Sequence, residues 1–306
     1  MSMLDIEKLD VKFNLDLDRK LDVIDKLDLE MSRSTTLSMI GESGSGKSVI
    51  ASAILRILES NAEVSGNIRF EGEDIYEMSE KRILEIRSKE ICLIPQNASQ
   101  AWDPLTKIGK QMSEFQTKAG IPKEKTNELS IEFLSRCGFT NSDEIMKTYP
   151  HRLSGGMCQR AMIAMCMSVS PTLTIADEPT KGLDVYSRGH VLDLMTEVGK
   201  DSALLMISHD LQAAKYCNEA AVLYGGTILE HGKSSDVIDN PMHPYTKGLK
   251  KAHPRNGMIP IPGSGLRTTR GKGCIFLERC NVASDSCKDT ISFSEKGGRY
   301  VRCDRA

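Results

Sequence analysis

The stretch GESGSGKS, Gly41 to Ser48, combines residue types and a spacing suited to holding phosphate. Glycines at 41, 44 and 46 let the backbone turn so that successive N–H groups point at one negative group. Lys47 offers a compact cation to β- and γ-phosphate oxygens, and the Ser48 hydroxyl suits Mg2+. The stretch fits G-x-x-x-x-G-K-[ST], a match whose flanks decide whether it is chance. Thr36 to Ile40 predicts a strand before it, and Ile50, Ile54, Ile57 and Leu58 mark one face of a helix after it. Gly41, Ser43, Gly44, Gly46, Lys47, Ser48 and Val49 are therefore expected to cradle the phosphates of ATP.

A second stretch, LTIADEP, is an apolar strand that ends in two carboxylates. Asp177 is expected to hold the Mg2+ shell. Glu178, facing the other side of the strand end, is the candidate for polarising an attacking water. Between these stretches lies LSGGMCQR. Read alone it is a helix start capped by Ser154, with a small hydroxyl and bare backbone that could meet an anion.

A third feature is a set of four tail cysteines, Cys274, Cys280, Cys287 and Cys303, spaced C-x5-C-x6-C-x15-C. Four thiolates can hold one tetrahedral Zn2+ or an iron–sulfur cluster. Zinc ribbons bring cysteines in pairs two to four residues apart, and these intervals are longer, which suits the wider [4Fe–4S] cube. Free or redox-active thiols are the third possibility. Cys92, Cys137, Cys158, Cys166 and Cys217 stand singly among apolar neighbours and read as small core residues.

The elements that must position these groups form a mixed pattern. Leu9, Val11 and Phe13, then Leu27, Leu29 and Met31, alternate with polar residues as strands with one wet face do. GNIRFEG is a further strand, Ser79 to Lys89 a charged helix, and ICLIP a buried strand. The region from about Trp102 to Cys166 is helical in pattern. Strands LTIAD and LLMIS then alternate with helices around Val191 to Val198 and from Leu211, and AVLYGGTILEHG reads as a hairpin. Such alternation predicts an α/β fold with a largely parallel sheet. From about Asn256 the periodicity gives way to Gly, Pro, Arg and Cys.

At 306 residues, with 40% hydrophobic and 27% charged residues, the chain can build a large domain plus an appendage. A net charge of −2 provides no basic field for nucleic acid. No apolar run reaches the ~20 residues that span a bilayer, and MSMLDIEKLD lacks a signal peptide's apolar stretch. The chain is expected to stay inside the cell, where thiols are kept reduced.

Taken together, the motifs resemble the ATP-binding subunit of an ABC transporter, over nearly the whole length. The resemblance implies a P-loop ABC ATPase domain with a RecA-like core, an N-terminal antiparallel β subdomain and a helical subdomain at about 100–166. That domain is expected over residues 1–255, with an irregular Cys-rich extension over 256–306. LSGGM stands where most of the family has LSGGQ, and by the resemblance Ser154, Gly155 and Gly156 bind the γ-phosphate held by a second ATPase subunit. Gln96 in LIPQ resembles the glutamine that senses Mg2+ and water. Asp184 in KGLDV resembles the aspartate at the dimer seam, with Lys181 and Gly182 replacing the commoner Thr and Ala. His209 in MISHD resembles the histidine that contacts the γ-phosphate. Phe13 is the candidate to stack on adenine, or else a core phenylalanine.

NPMHPYTKGL, IPIPG and GCIFLERC narrow the resemblance to the peptide/nickel branch. That implies two integral-membrane permease subunits, a related second ATPase or a homodimer, an extracellular binding protein indirectly, and a place on the cytoplasmic face of the membrane. The implied activity is ATP hydrolysis that drives uptake of peptides or nickel and metal chelates. The alternative is a soluble ABC-type ATPase of a metabolic or metal-assembly complex, with the tail as docking or cluster module. NASQAWDPLTKIG is the expected permease contact, with Trp102 there or buried among helices. His243 and Tyr245 read as structural, because Pro241 and Pro244 on both sides of Met242-His243 suggest a rigid turn rather than a metal site.

Overall fold

The computed structural model describes residues 2–16, 19–263, 272–289 and 291–305. The arginine-rich stretch with Arg267 and Arg270 lies outside the described residues. The strands are β1 (Leu4–Asp16), β2 (Arg19–Met31), β3 (Thr36–Ile40), β4 (Ala62–Phe70), β5 (Glu73–Asp74), β6 (Ile91–Ile94), β7 (Leu173–Asp177), β8 (Ala203–Ser208), β9 (Glu219–Tyr224), β10 (Thr227–Lys233), β11 (Ser294–Lys296) and β12 (Arg299–Val301). The helices are α1 (Lys47–Ile54), α2 (Glu80–Glu85), α3 (Ala98–Ala101), α4 (Ile108–Lys118), α5 (Lys123–Arg136), α6 (Ser142–Lys147), α7 (Gly155–Met167), α8 (Val185–Asp201), α9 (Ser234–Asp239) and α10 (Pro244–Ala252). Two compact units result, Met1–Glu77 with Ile207–Ala306, and Met78–Met206.

In the first unit, β2-β1-β4-β5 form an antiparallel sheet. Its buried face carries Leu4, Ile6, Leu9 and Val11, and a bulge at Glu7–Lys8 resets the alternation between Ile6 and Leu9. A second set of strands runs β11-β12-β10-β9-β3. β3 is parallel to β9 and buried along its whole length, and the β9–β10 hairpin is antiparallel as its sequence suggests. Ile40, Val222, Tyr224, Tyr245 and Phe276 share one core.

Three expectations in this unit need correction. Helix α1 stops at Ile54, because Arg56 turns left-handed at φ 51° and the Ile57 N–H returns to the Ser52 carbonyl. Ile57 is consequently exposed rather than on a helix face. After Leu211 there is only a 3-10 turn, Ala213–Tyr216: the Asp210 carboxylate takes the Gln212 N–H, and β9 begins too soon for a longer helix. The tail is also more regular than expected. β11 and β12 turn at Gly297 and Gly298, both at positive φ, and β12 adds to β10.

In the second unit, β6 and β7 pair in parallel, and the strand order is β8-β7-β6. Helices α3 to α7 fill the region expected to be helical. The Gln116 amide is fully buried yet donates to Ser130 and Ser168 hydroxyls at 3.1 and 2.9 Å, which ties α4 to α5 and to the end of α7. Trp102 is 3% exposed and its indole N–H donates to the Cys158 carbonyl at 3.3 Å. It is therefore buried among the helices, not available as a surface contact. All five scattered cysteines are buried. No helix among the described residues is long and apolar enough to cross a membrane.

Candidate functional site

The phosphate loop leaves β3 at Ile40 and enters α1 at Lys47. Gly46 sits at φ 101° before the helix, a left-handed conformation that side chains resist, and no side chain caps the helix start. A helix start without a side-chain cap is the kind that receives an anion, and the donor set fits a triphosphate. Gly41 passes so close to β9 that a Cβ would lie 2.2 Å from the Leu223 carbonyl oxygen. From the other side the Gly226 N–H holds the Ser45 carbonyl at 2.9 Å. Lys47 is buried, with its ammonium donating to the Gly41 and Glu42 carbonyls at 2.8 and 2.9 Å. Ser43, Gly44 and Ser48 are exposed and Val49 is half-buried. Ser48, in the first turn of α1, suits Mg2+. Phe13 is half-buried between Leu21 and Ala62 in register, so its ring is not spent in the core. His209, just beyond β8, is exposed.

One contact to this loop has no counterpart among the sequence motifs. The Arg279 guanidinium donates to both Glu42 carboxylate oxygens, at 2.8 and 3.1 Å, across 237 residues. The Tyr245 hydroxyl accepts the Glu42 N–H at 3.0 Å. Hydrogen bonding to Glu42 is the main reason that Arg279 is held even further above its ordinary range. ERC following HPY carries no pairing signal, because neither partner's spacing in sequence points to the other.

In the second unit, Asp177 ends β7 and Glu178 follows it, 9% exposed and at φ 49°. A non-glycine residue in that region is strained, and such strain gathers at functional sites. The Ser154 hydroxyl caps α7 by accepting the Met157 N–H at 3.3 Å, as its sequence position predicts. Gly155 is exposed, and a methyl added there would meet nothing within 4 Å, whereas a methyl at Gly156 would meet the Ser187 hydroxyl at 2.9 Å. Asp184 caps α8 by accepting the Tyr186 and Ser187 N–H groups, and the Ser187 hydrogen bonds foremost hold its carboxyl below the usual range. A cavity of about 470 Å3 brings Gln96, Gly155, Gln159, Lys181 and Gly182 together.

The four tail thiols line one small cavity of about 10 Å3 together with His243. Burial chiefly raises the Cys274 and Cys303 thiols, while hydrogen bonds from Ser284 foremost lower Cys287. The donor types suit Zn2+ or a cluster, although among the described residues no group of three or more His, Cys, Asp or Glu side chains already stands close enough to hold a metal ion. His243 is 1% exposed and its Nδ1 accepts the Tyr245 N–H at 3.0 Å, so it and Tyr245 are structural, as their sequence context suggests.

A family model for the ABC transporter matches residues 24–181, and one for the oligopeptide/dipeptide transporter C-terminal region matches 229–287. This chain belongs to the ABC transporter family. The oligopeptide transport ATP-binding protein AppD of Bacillus subtilis is 34% identical over 92% of this chain and 90% of its own length. The oligopeptide transport ATP-binding protein OppD of Escherichia coli is 34% identical over 99% and 93%. Among solved structures, a dimeric ATP-binding cassette bound to ADP and Pi superposes with a TM-score of 0.68 at 18% identity, over 76% of this chain and 99% of that one. The structure of cbiO1 from Clostridium perfringens, part of the ABC transporter complex cbiONQ, gives 0.66 at 22%, over 82% and 94%. At those identities the likeness speaks for the cassette fold, mixed α/β with an antiparallel β subdomain. Family membership makes the chain an ABC-type ATPase, for which ATP with Mg2+ is the expected ligand.

Proposed function

We propose that this chain is the ATP-hydrolysing subunit of a peptide importer, on the cytoplasmic face of the membrane. The observation that carries the reading is the match of both the ATPase region and the C-terminal region to oligopeptide transport ATP-binding proteins, along 90% or more of each chain. Two permease subunits and a second ATPase, related or identical, are its partners, with an extracellular binding protein acting through the permease. No partner role for nucleic acid is proposed. The domain division at 255/256 belongs to the same proposal.

The roles follow from chemistry. The loop residues Gly41, Ser43, Gly44, Gly46, Lys47, Ser48 and Val49 bind the phosphates, and Lys47 leaves its two carbonyl acceptors to neutralise them. Ser48, Gln96 and Asp177 would each serve as a Mg2+ ligand, and Mg2+ when bound would supply charge neutralisation for phosphoryl transfer. Glu178 takes a proton from the attacking water, and His209 donates to the γ-phosphate. Ser154, Gly155, Gly156 and Asp184 serve the second subunit's nucleotide, and Phe13 stacks on adenine. Leu105, 85% exposed beside Asp103, is the apolar contact offered to the permease.

Cys274, Cys280, Cys287 and Cys303, which line one cavity, are proposed as the residues that would hold a [4Fe–4S] cluster or Zn2+. Their convergence supports this, and no step of hydrolysis depends on it.

The test is anaerobic isolation of the tagged chain from membranes. Copurification of integral-membrane permease chains supports the importer, and soluble partners alone overturn it. Iron with brown visible absorbance supports the cluster, one zinc in a colourless sample supports zinc, and neither metal removes both.

A further inference from the structure

We propose that Arg279 is a positioning residue for ATP binding, acting through Glu42, which makes the C-terminal segment a working part of the phosphate loop. Glu42 is the second residue of that loop, and three of its groups are committed. Its N–H goes to the Tyr245 hydroxyl at 3.0 Å, its carboxylate takes both guanidinium arms of Arg279, and its carbonyl receives the Lys47 ammonium at 2.9 Å. The two tail-side ties therefore fix the carbonyl on which the phosphate-binding lysine rests.

Arg279 can impose that position because it is itself rigid. Its side chain is 7% exposed, against 29% for Glu42, so the guanidinium half of the pair is shielded from solvent. Its Nε donates to the Pro262 carbonyl at 2.7 Å, and its fork also reaches the Tyr224 hydroxyl at 3.3 Å and the Ile261 carbonyl at 3.4 Å. The guanidinium lies over the Tyr224 and Phe276 rings, with centroids at 5.5 and 5.9 Å. Phe276 and Tyr245 share a core with Ile40, the residue that enters the phosphate loop. A surface ion pair would contribute almost nothing, but a forked pair anchored at this many points transmits the position of the tail to the loop. The turn that carries Arg279 runs between two of the tail thiols, with the Leu277 N–H on the Cys274 carbonyl and the Cys280 N–H on the Leu277 carbonyl. Disturbance of that turn would reach the ATP site by the same route.

The experiment measures kcat and KM for MgATP, with thermal unfolding, on the full-length chain carrying Arg279→Gln, Glu42→Gln, both, Arg279→Lys or Tyr245→Phe. Loss of a charge-assisted, forked pair predicts KM raised about tenfold or more in either single variant, with kcat within about twofold. The double variant should be no worse than the singles, and Arg279→Lys should recover part of the loss. Unchanged KM in Arg279→Gln and Glu42→Gln overturns the proposal, as do effects of the two that add independently. If Arg279→Gln does not fold, Glu42→Gln decides the question from the loop side, since it leaves the tail intact, and Tyr245→Phe should raise KM in the same direction. The assay needs only ATP hydrolysis, so its outcome is independent of the cargo and of the permease.

Discussion

Gly41 and Leu223 approach so closely that a methyl on the glycine would sit 2.2 Å from the leucine's carbonyl oxygen. The obstacle is backbone, which cannot swing aside as a side chain can. Gly41→Ala is therefore expected to lower stability by about 1–3 kcal/mol, as overpacking does. Thermal unfolding without nucleotide reads this directly, and an unchanged midpoint would refute it.

Gly155 and Gly156 predict opposite outcomes for the same substitution. Gly155→Ala meets nothing within 4 Å, so the fold should hold or gain slightly from helix propensity, roughly 1 kcal/mol at most. Gly156→Ala presses on the Ser187 side chain and should lose stability. If Gly155→Ala keeps its unfolding midpoint yet loses hydrolysis, the exposed glycine is acting on nucleotide. Full activity in Gly155→Ala counts against that role.

His243 should make the fold sensitive to acid. Burial foremost, then Lys247, pushes its folded pKa down to about 3, whereas the unfolded ring takes a proton near pH 6.5. Between those values the unfolded chain binds more protons, so this contribution is whole above pH 6.5 and falls as pH drops toward 3. The slope is at most about 1.4 kcal/mol per pH unit. Denaturant titrations at pH 7, 6 and 5 should show it in the wild type, and His243→Asn, which can still cap α10, should flatten it.

Leu105 stands out from a loop that Asp103 braces, through the Leu105 N–H at 3.0 Å and the Thr106 hydroxyl at 2.6 Å. Leu105→Asp should leave folding and hydrolysis by the isolated chain unchanged while it reduces coupled uptake severalfold. Undiminished uptake would remove this loop from the permease contact.

How far the fold and site are legible in sequence depends on the range of each interaction. Thr36–Ile40 and Leu173–Asp177 fold as strands with the bounds that their apolar runs suggest, because burial on both faces needs no partner-specific signal. The caps at Ser154 and Asp184 are equally local. The end of helix α1 is not, since Arg56, an ordinary helix former, turns left-handed only under tertiary constraint. The hairpin of β11 and β12 has a local sign in Gly297-Gly298, but its strands of three residues are too short to show alternation. The Arg279–Glu42 pair is invisible in sequence for a deeper reason: no periodicity links residues 237 apart, and only folding brings them together.

Peptide uptake by proteoliposomes that contain the purified complex, with MgATP and either wild-type chain or Glu178→Gln, tests the importer assignment and its catalytic carboxylate at once. The wild type should take up peptide in an ATP-dependent manner. In the variant, hydrolysis and uptake should fall together by about 10²–10⁴-fold, with nucleotide binding retained. Hydrolysis that proceeds normally in Glu178→Gln, or wild-type hydrolysis with no peptide movement, would contradict it.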